Sequence, residues 1–154
     1  MRLAIGSDHA GLDLKTAIKT LLDELKVPYE DFGTGTRAAV DYPDFAEAVA
    51  TAVVEGRADL GILVCGTGIG MAITANKVPG IRAAQISDPY GAERAAKSND
   101  AQIVTLGALT TGPETAKLLV DSYLASEFAG GRSAPKVAKI DAVDRKYREP
   151  RAKE

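Results

Sequence analysis

The chain has 154 residues, 45% of them hydrophobic, and a formal net charge of −2. That is the size of one domain with an ordinary core. The near-neutral balance gives no electrostatic case for nucleic acid or an acidic membrane as partner, and no apolar run approaches the ~18 residues of a membrane span.

A first strand is predicted over Leu3-Ala4-Ile5. Leu14, Ala17, Ile18, Leu21, Leu22 and Leu25 then recur at helical spacing, with Lys15, Lys19, Asp23 and Glu24 between them as the polar positions. Val27 to Phe32 reads as a second strand interrupted by Pro28, and Gly33-Thr34-Gly35-Thr36 as a turn. Phe45, Ala46, Val49 and Val53 mark a second helix with Pro43 in its first turn. Leu60–Val64 is the third strand, and Ala72, Ile73, Ala75 and Asn76 open a helix after it. Ile81 to Ile86 is the fourth strand, Tyr90 to Lys97 a short alanine-rich helix, and Ile103 to Leu106 the fifth strand, closed by Gly107. Pro113 begins a long helix with Ala116, Leu119, Val120, Tyr123 and Leu124 inward. Gly130-Gly131 breaks the chain before a last helix from about Ala134, carrying Val137, Ile140, Val143 and Tyr147.

Alternating strands and helices imply parallel pairing. The expected fold is α/β: a three-layer α/β/α sandwich around a five-stranded parallel, Rossmann-like sheet. One domain is expected over 1–147, with a charged, frayed tail from Arg148 to Glu154. One cysteine cannot close an intrachain disulfide, and the first residues lack an apolar segment of signal-peptide length, so a cytoplasmic protein is expected.

Ligands of such sheets bind at the carboxyl ends of the strands. That rim gathers Gly6-Ser7-Asp8-His9, Cys65–Gly70, Ser87-Asp88 and Gly107. The stretch Cys65-Gly66-Thr67-Gly68-Ile69-Gly70 ends a buried strand in the chain's only cysteine and follows it with glycines at alternate positions. Bare backbone leading into a helix N-terminus converges N–H groups and favours negative charge, including a thiolate. A base beside an anion cradle suits chemistry that passes through an oxyanion or enediolate. The loop is neither a dinucleotide fingerprint, since Met71 stands where the third glycine belongs, nor a Walker A loop, since no Gly-Lys-Ser/Thr closes it.

Each candidate also has a plain structural reading. The loop suits a ligand-free turn, and Cys65 alone suits a small core side chain. Asp8 fits either a polar contact to substrate or the N-cap of the first helix. His9, the single histidine, has no second imidazole for metal binding. Arg132 and Lys136, four apart, suit either a shared phosphate or a solvated face. Ser98-Asn99-Asp100 suits a polar loop at a helix end.

With these residues placed, the chain resembles the ribose-5-phosphate isomerase B family, which includes the galactose-6-phosphate isomerase subunits. The matching blocks are Gly6-Ser7-Asp8-His9-Ala10-Gly11, Asp41-Tyr42-Pro43, Cys65 to Gly70, Ala75-Asn76-Lys77, Gly80-Ile81-Arg82-Ala83, Asn99-Asp100-Ala101 and Gly130-Gly131-Arg132. The resemblance implies aldose–ketose isomerisation of a sugar phosphate through a cis-enediolate. Cys65 would be the base and Thr67 its neighbour, with the backbone of Gly66, Gly68, Ile69 and Gly70 holding the enediolate oxygen. Asp8 would bind hydroxyls, Asn99 would polarise O1/O2, and Tyr42 would line the pocket. His9, Arg132 and Lys136 would hold the phosphate. It implies no metal and no organic cofactor, and a homodimer or homotetramer with sites built between subunits.

Three positions depart from the pattern. Ser98 stands where many members carry a ring-opening histidine, Leu109 where members often carry an arginine near the phosphate, and Lys136 in place of an arginine. A tetrose 4-phosphate cannot close a five-membered ring, so it needs no such histidine. The expected substrate is ribose 5-phosphate, interconverted with ribulose 5-phosphate. The alternative is a tetrulose 4-phosphate such as erythrulose 4-phosphate, and an alternative of another class is a non-catalytic sugar-phosphate binder.

Overall fold

The computed structural model describes residues 1–148. Five strands, β1 (Leu3–Ser7), β2 (Tyr29–Asp31), β3 (Leu60–Cys65), β4 (Ala83–Gln85) and β5 (Ile103–Gly107), form one sheet in the order β2-β1-β3-β5-β4. Every pairing is parallel. β1, β3 and β5 occupy the centre and read as near-continuous apolar runs, because a strand covered on both faces has no solvated side.

Helices α1 (Leu12–Glu24), α4 (Pro89–Lys97) and α5 (Pro113–Leu124) cover one face, burying Ile18, Leu22, Ala92, Leu119 and Tyr123 against Ile5, Ile62 and Val104. Helices α2 (Tyr42–Val54) and α3 (Ile69–Ala75) cover the other, where Val49, Ala50 and Met71 meet Ala4, Leu63 and Cys65. The three-layer sandwich is the predicted one. The chain leaves β1 toward β2 but leaves β3 toward β4, so the strand order reverses between β1 and β3. A crevice opens at such a switch point, outside the carboxyl ends of the two strands.

Three local expectations need correction. The edge strands are shorter than predicted: Pro28 offers no N–H at the start of β2, and at β4 the Arg82 N–H turns to the Gln102 side chain at 2.7 Å. Lys15, placed among polar positions, is buried. Its ammonium donates to Asp31 Oδ1 at 2.7 Å and to the Thr34 carbonyl at 2.6 Å, so its charge is matched inside the fold. Of the four larger apolar residues of the last helix, α6 (Ala134–Arg148), only Val137 is buried, and Ile140, Val143 and Tyr147 are exposed.

The helix also continues through Arg148, where the frayed tail was expected to begin. Its guanidinium bonds Asp144 at 3.0 Å and the Lys77 carbonyl at 2.6 Å. The rest of that tail, residues 149–154, lies outside the described residues. Among those described, no helix is long and apolar enough to cross a membrane.

Candidate active site

β1 and β3 end side by side, with Ser7 in register with Val64. Asp8 and Cys65 follow from those ends into one cleft of about 400 Å³. Tyr42, Gly66, Thr67, Ile69 and Gly70 line the same cleft, together with Ile73. The sequence places Ile73 in the helix but gives it no part in the site, although its spacing of four from Ile69 puts both on one face of α3.

The turn after β3 explains its own sequence. Gly68 caps α3 at φ +78°, and a Cβ there would lie 2.9 Å from the Leu106 backbone, so both conformation and space demand glycine. Gly70 lies beneath the Tyr42 ring, where a Cβ would come within 2.5 Å of ring carbons. The Gly68 N–H donates to Cys65 Sγ at 3.1 Å, and the Gly68 carbonyl is fixed by Thr105 Oγ1 at 2.7 Å. Ile69 N–H donates to Thr67 Oγ1 at 3.3 Å. Among the described residues the N–H groups of Gly66, Thr67 and Gly70 have no hydrogen-bond partner. Buried Cys65 thus lines one cleft with Gly66, Thr67 and Gly70, whose backbone donors are unengaged.

Asp8 is buried and takes the Gly11 N–H on Oδ1 at 2.9 Å. It is not the N-cap of α1, which is Gly11, but it satisfies that residue's donor and leaves Oδ2 for the cleft it lines. His9 is exposed beside it. Its Nδ1 accepts from the Val40 N–H at 3.1 Å, which places the proton of the neutral ring on Nε2 and leaves that nitrogen as a donor.

The other candidates stand elsewhere. Ser98 is the C-cap of α4 and accepts from Arg94 Nη1 at 3.3 Å. Asn99 lines a separate cavity of about 430 Å³ beside Arg82, Ile140 and Asp141. Both precede β5, so they lie at the amino edge of the sheet, whereas Cys65 lies at its carboxyl edge. Ile103 and Gly107 are paired with Gly61 and Cys65, so the two levels are roughly 13 Å apart along the strands. Arg132, in the 3-10 turn Gly131–Ser133, and Lys136, in α6, are exposed. They follow Ala129, whose N–H binds the Lys97 carbonyl at 3.2 Å beside Ser98. The chain thus carries two separate groups of candidate residues.

A thiol and a donor-lined glycine turn at the switch point of a parallel sheet define an α/β protein equipped for proton transfer beside an oxyanion. The sequence profile of the family described as Ribose/Galactose Isomerase matches residues 3–140, and the chain belongs to that family of aldose–ketose isomerases. It is 53% identical over 148 residues to the "Ribose-5-P isomerase B" of Listeria innocua, covering 96% of this chain and all of that protein. It is 50% identical over 143 residues to the "D-erythrulose-4-phosphate isomerase" of Pectobacterium atrosepticum, covering 91% and 93% of the two. The structure of Clostridium thermocellum ribose-5-phosphate isomerase B superposes with a TM-score of 0.93 at 47% identity, covering 96% of this chain and 99% of that one.

Proposed function

We propose that the protein interconverts ribose 5-phosphate and ribulose 5-phosphate through a cis-enediolate, with Cys65 as the base that takes the C2 proton and returns it at C1. The observation that carries this reading is that buried Cys65 lines one cleft with Gly66, Thr67 and Gly70, whose N–H groups are unengaged. Charge that develops on the enediolate oxygen meets donors already in place, so little reorganisation is needed as it forms. Asp8 Oδ2 accepts from sugar hydroxyls, Thr67 contacts the sugar oxygens, and Tyr42 and Ile69 wall the cleft.

Asn99 polarises O1/O2, Ser98 donates beside it, and Arg132, Lys136 and the His9 Nε2–H hold the phosphate. Because one chain holds Asn99 and Cys65 at opposite edges of its sheet, we assign the working enzyme to a homodimer, or a tetramer of such dimers, in which each cleft is completed by the second group of a partner copy. Exposed Tyr42, Ile69, Ile73 and Leu109 around the cleft supply apolar surface for that contact.

A second reading, isomerisation of erythrulose 4-phosphate, is favoured by two observations. Ser98 offers a hydroxyl tied to Arg94 in place of an imidazole, and a relative named for that activity is 50% identical. A substrate without a ring to open asks nothing of position 98 beyond a hydrogen bond. Steady-state kcat/KM on the two sugar phosphates in one preparation decides between them. The first reading expects ribose 5-phosphate to be preferred, and a strong preference for the tetrulose would replace it with the second.

A further inference from the structure

Arg82 appears in neither group of candidate residues, yet its guanidinium joins the parts of the second one. Nε donates to the carbonyls of Asn99 at 3.2 Å and Asp100 at 3.0 Å. Nη2 reaches Asp100 Oδ2 at 3.0 Å, and Nη1 reaches Asp141 Oδ1 of α6 at 2.8 Å. The side chain is only 15% exposed, and each of its three nitrogens is engaged. Its own backbone is pinned by Gln102, whose amide also holds the Gly80 carbonyl at 2.9 Å.

Asp100 sits at φ +47°, a left-handed conformation that a non-glycine residue keeps only when its surroundings hold it there. Two of the Arg82 contacts close on that residue and a third on Asn99 just before it. The remaining contact fixes the helix that carries Lys136 and follows Arg132.

We propose that Arg82 is a positioning residue for the half-site formed by Ser98, Asn99, Arg132 and Lys136. It sets the distance between the group that polarises the sugar oxygens and the cations that hold the phosphate, without touching substrate. The inference rests on the intersubunit reading above. Only a planar fork reaches three partners in fixed directions, so lysine does not replace it.

The test uses mixed oligomers of two differently tagged full-length chains, purified through both tags and assayed on ribose 5-phosphate. Arg82→Met alone is expected to lose about a hundredfold in kcat/KM, the scale set by small displacements of positioned groups. Mixed with Cys65→Ala, it leaves one cleft with an intact thiol facing an intact second half. Activity then rises at least about tenfold above either parent. Mixed with Asn99→Ala, every cleft has a damaged second half, and no rise follows.

A rise with Asn99→Ala, or no rise with Cys65→Ala, overturns the proposal, as does near-normal kcat/KM for Arg82→Met or Arg82→Lys. The control mixture of Cys65→Ala with Asn99→Ala separates the two claims: its failure counts against the shared cleft itself, and its success leaves a negative Arg82 result against Arg82 alone. Should Arg82→Met not fold, Asp141→Ala cuts only the arm to α6. It is expected to raise KM for the phosphorylated substrate about tenfold with kcat little changed, and an unchanged KM contradicts the proposal.

Discussion

Cys65 stands where β3 stops and the glycine turn begins, and the proposed reading gives it one task. Val64 and Leu63 before it are core, while the backbone after it donates to its sulfur. Cys65→Ala removes little volume, so the fold and ligand binding are expected to survive while kcat falls by about a thousandfold or more, the range of a lost general base. Turnover close to wild type removes Cys65 from that role.

Gly70→Ala tests the cradle's shape. The added methyl collides with the Tyr42 ring, which is partly exposed and free to swing away, so kcat/KM should drop while the melting temperature stays nearly constant. A large fall in melting temperature would mean that the ring is structural. The single histidine gives a third reading at this scale: ¹⁵N NMR of His9 should show the Nε2–H tautomer when neutral, as the Val40 contact requires.

At the scale of elements, the buried Lys15 ties α1 to the end of β2 and to the connection that delivers Val40 and Tyr42 to the cleft. Burial raises the Asp31 carboxyl, but hydrogen bonds from Lys15, Lys19 and the Gly33 N–H outweigh it and hold it below the usual carboxylate value. A lowered folded pKa adds stability that is complete above the unfolded value of about 4 and is lost as pH falls through the folded value. The urea midpoint should therefore drop in acid, and less steeply in Asp31→Asn. An equal acid slope in both proteins would exclude Asp31 as the source.

Lys15→Met should cost about 2 kcal/mol, less than a fully buried pair because Asp31 remains partly exposed. Lys15 also shows where the sequence stops being informative. Helical spacing placed Leu14, Ile18 and Leu22 inward, and the structure buries all three. Periodicity sorts residues by polarity, and it has no way to register a lysine whose charge is met by a carboxylate and a carbonyl sixteen and nineteen positions away. The same limit applies to α6, whose helical spacing carries Val137, Ile140, Val143 and Tyr147 without marking which of them the fold buries. Only Val137 of the four is buried.

At the scale of the molecule, alternation of strands and helices was enough to give the parallel three-layer sandwich, and strand ends were enough to bring Asp8 to Cys65. The edge occupied by Ser98 and Asn99 follows from the same rule, since a residue after a helix and before a strand lies at the amino edge. On the proposed intersubunit reading, a second copy carries that edge to the cleft, and the order of residues along one chain does not contain it. Arg132→Ala should therefore raise KM for phosphorylated sugars and leave an unphosphorylated analogue unaffected. Equal losses on both would remove Arg132 from the phosphate.

The central claim is that Cys65 moves a proton between C1 and C2 over the glycine cradle, and its most direct test is isomerisation of ribose 5-phosphate in D₂O followed by NMR. Wild-type protein should carry solvent deuterium into C1 of ribulose 5-phosphate and C2 of ribose 5-phosphate, and Cys65→Ala should carry none while still binding the sugar. Exchange or isomerisation in Cys65→Ala at a rate close to wild type would contradict the account.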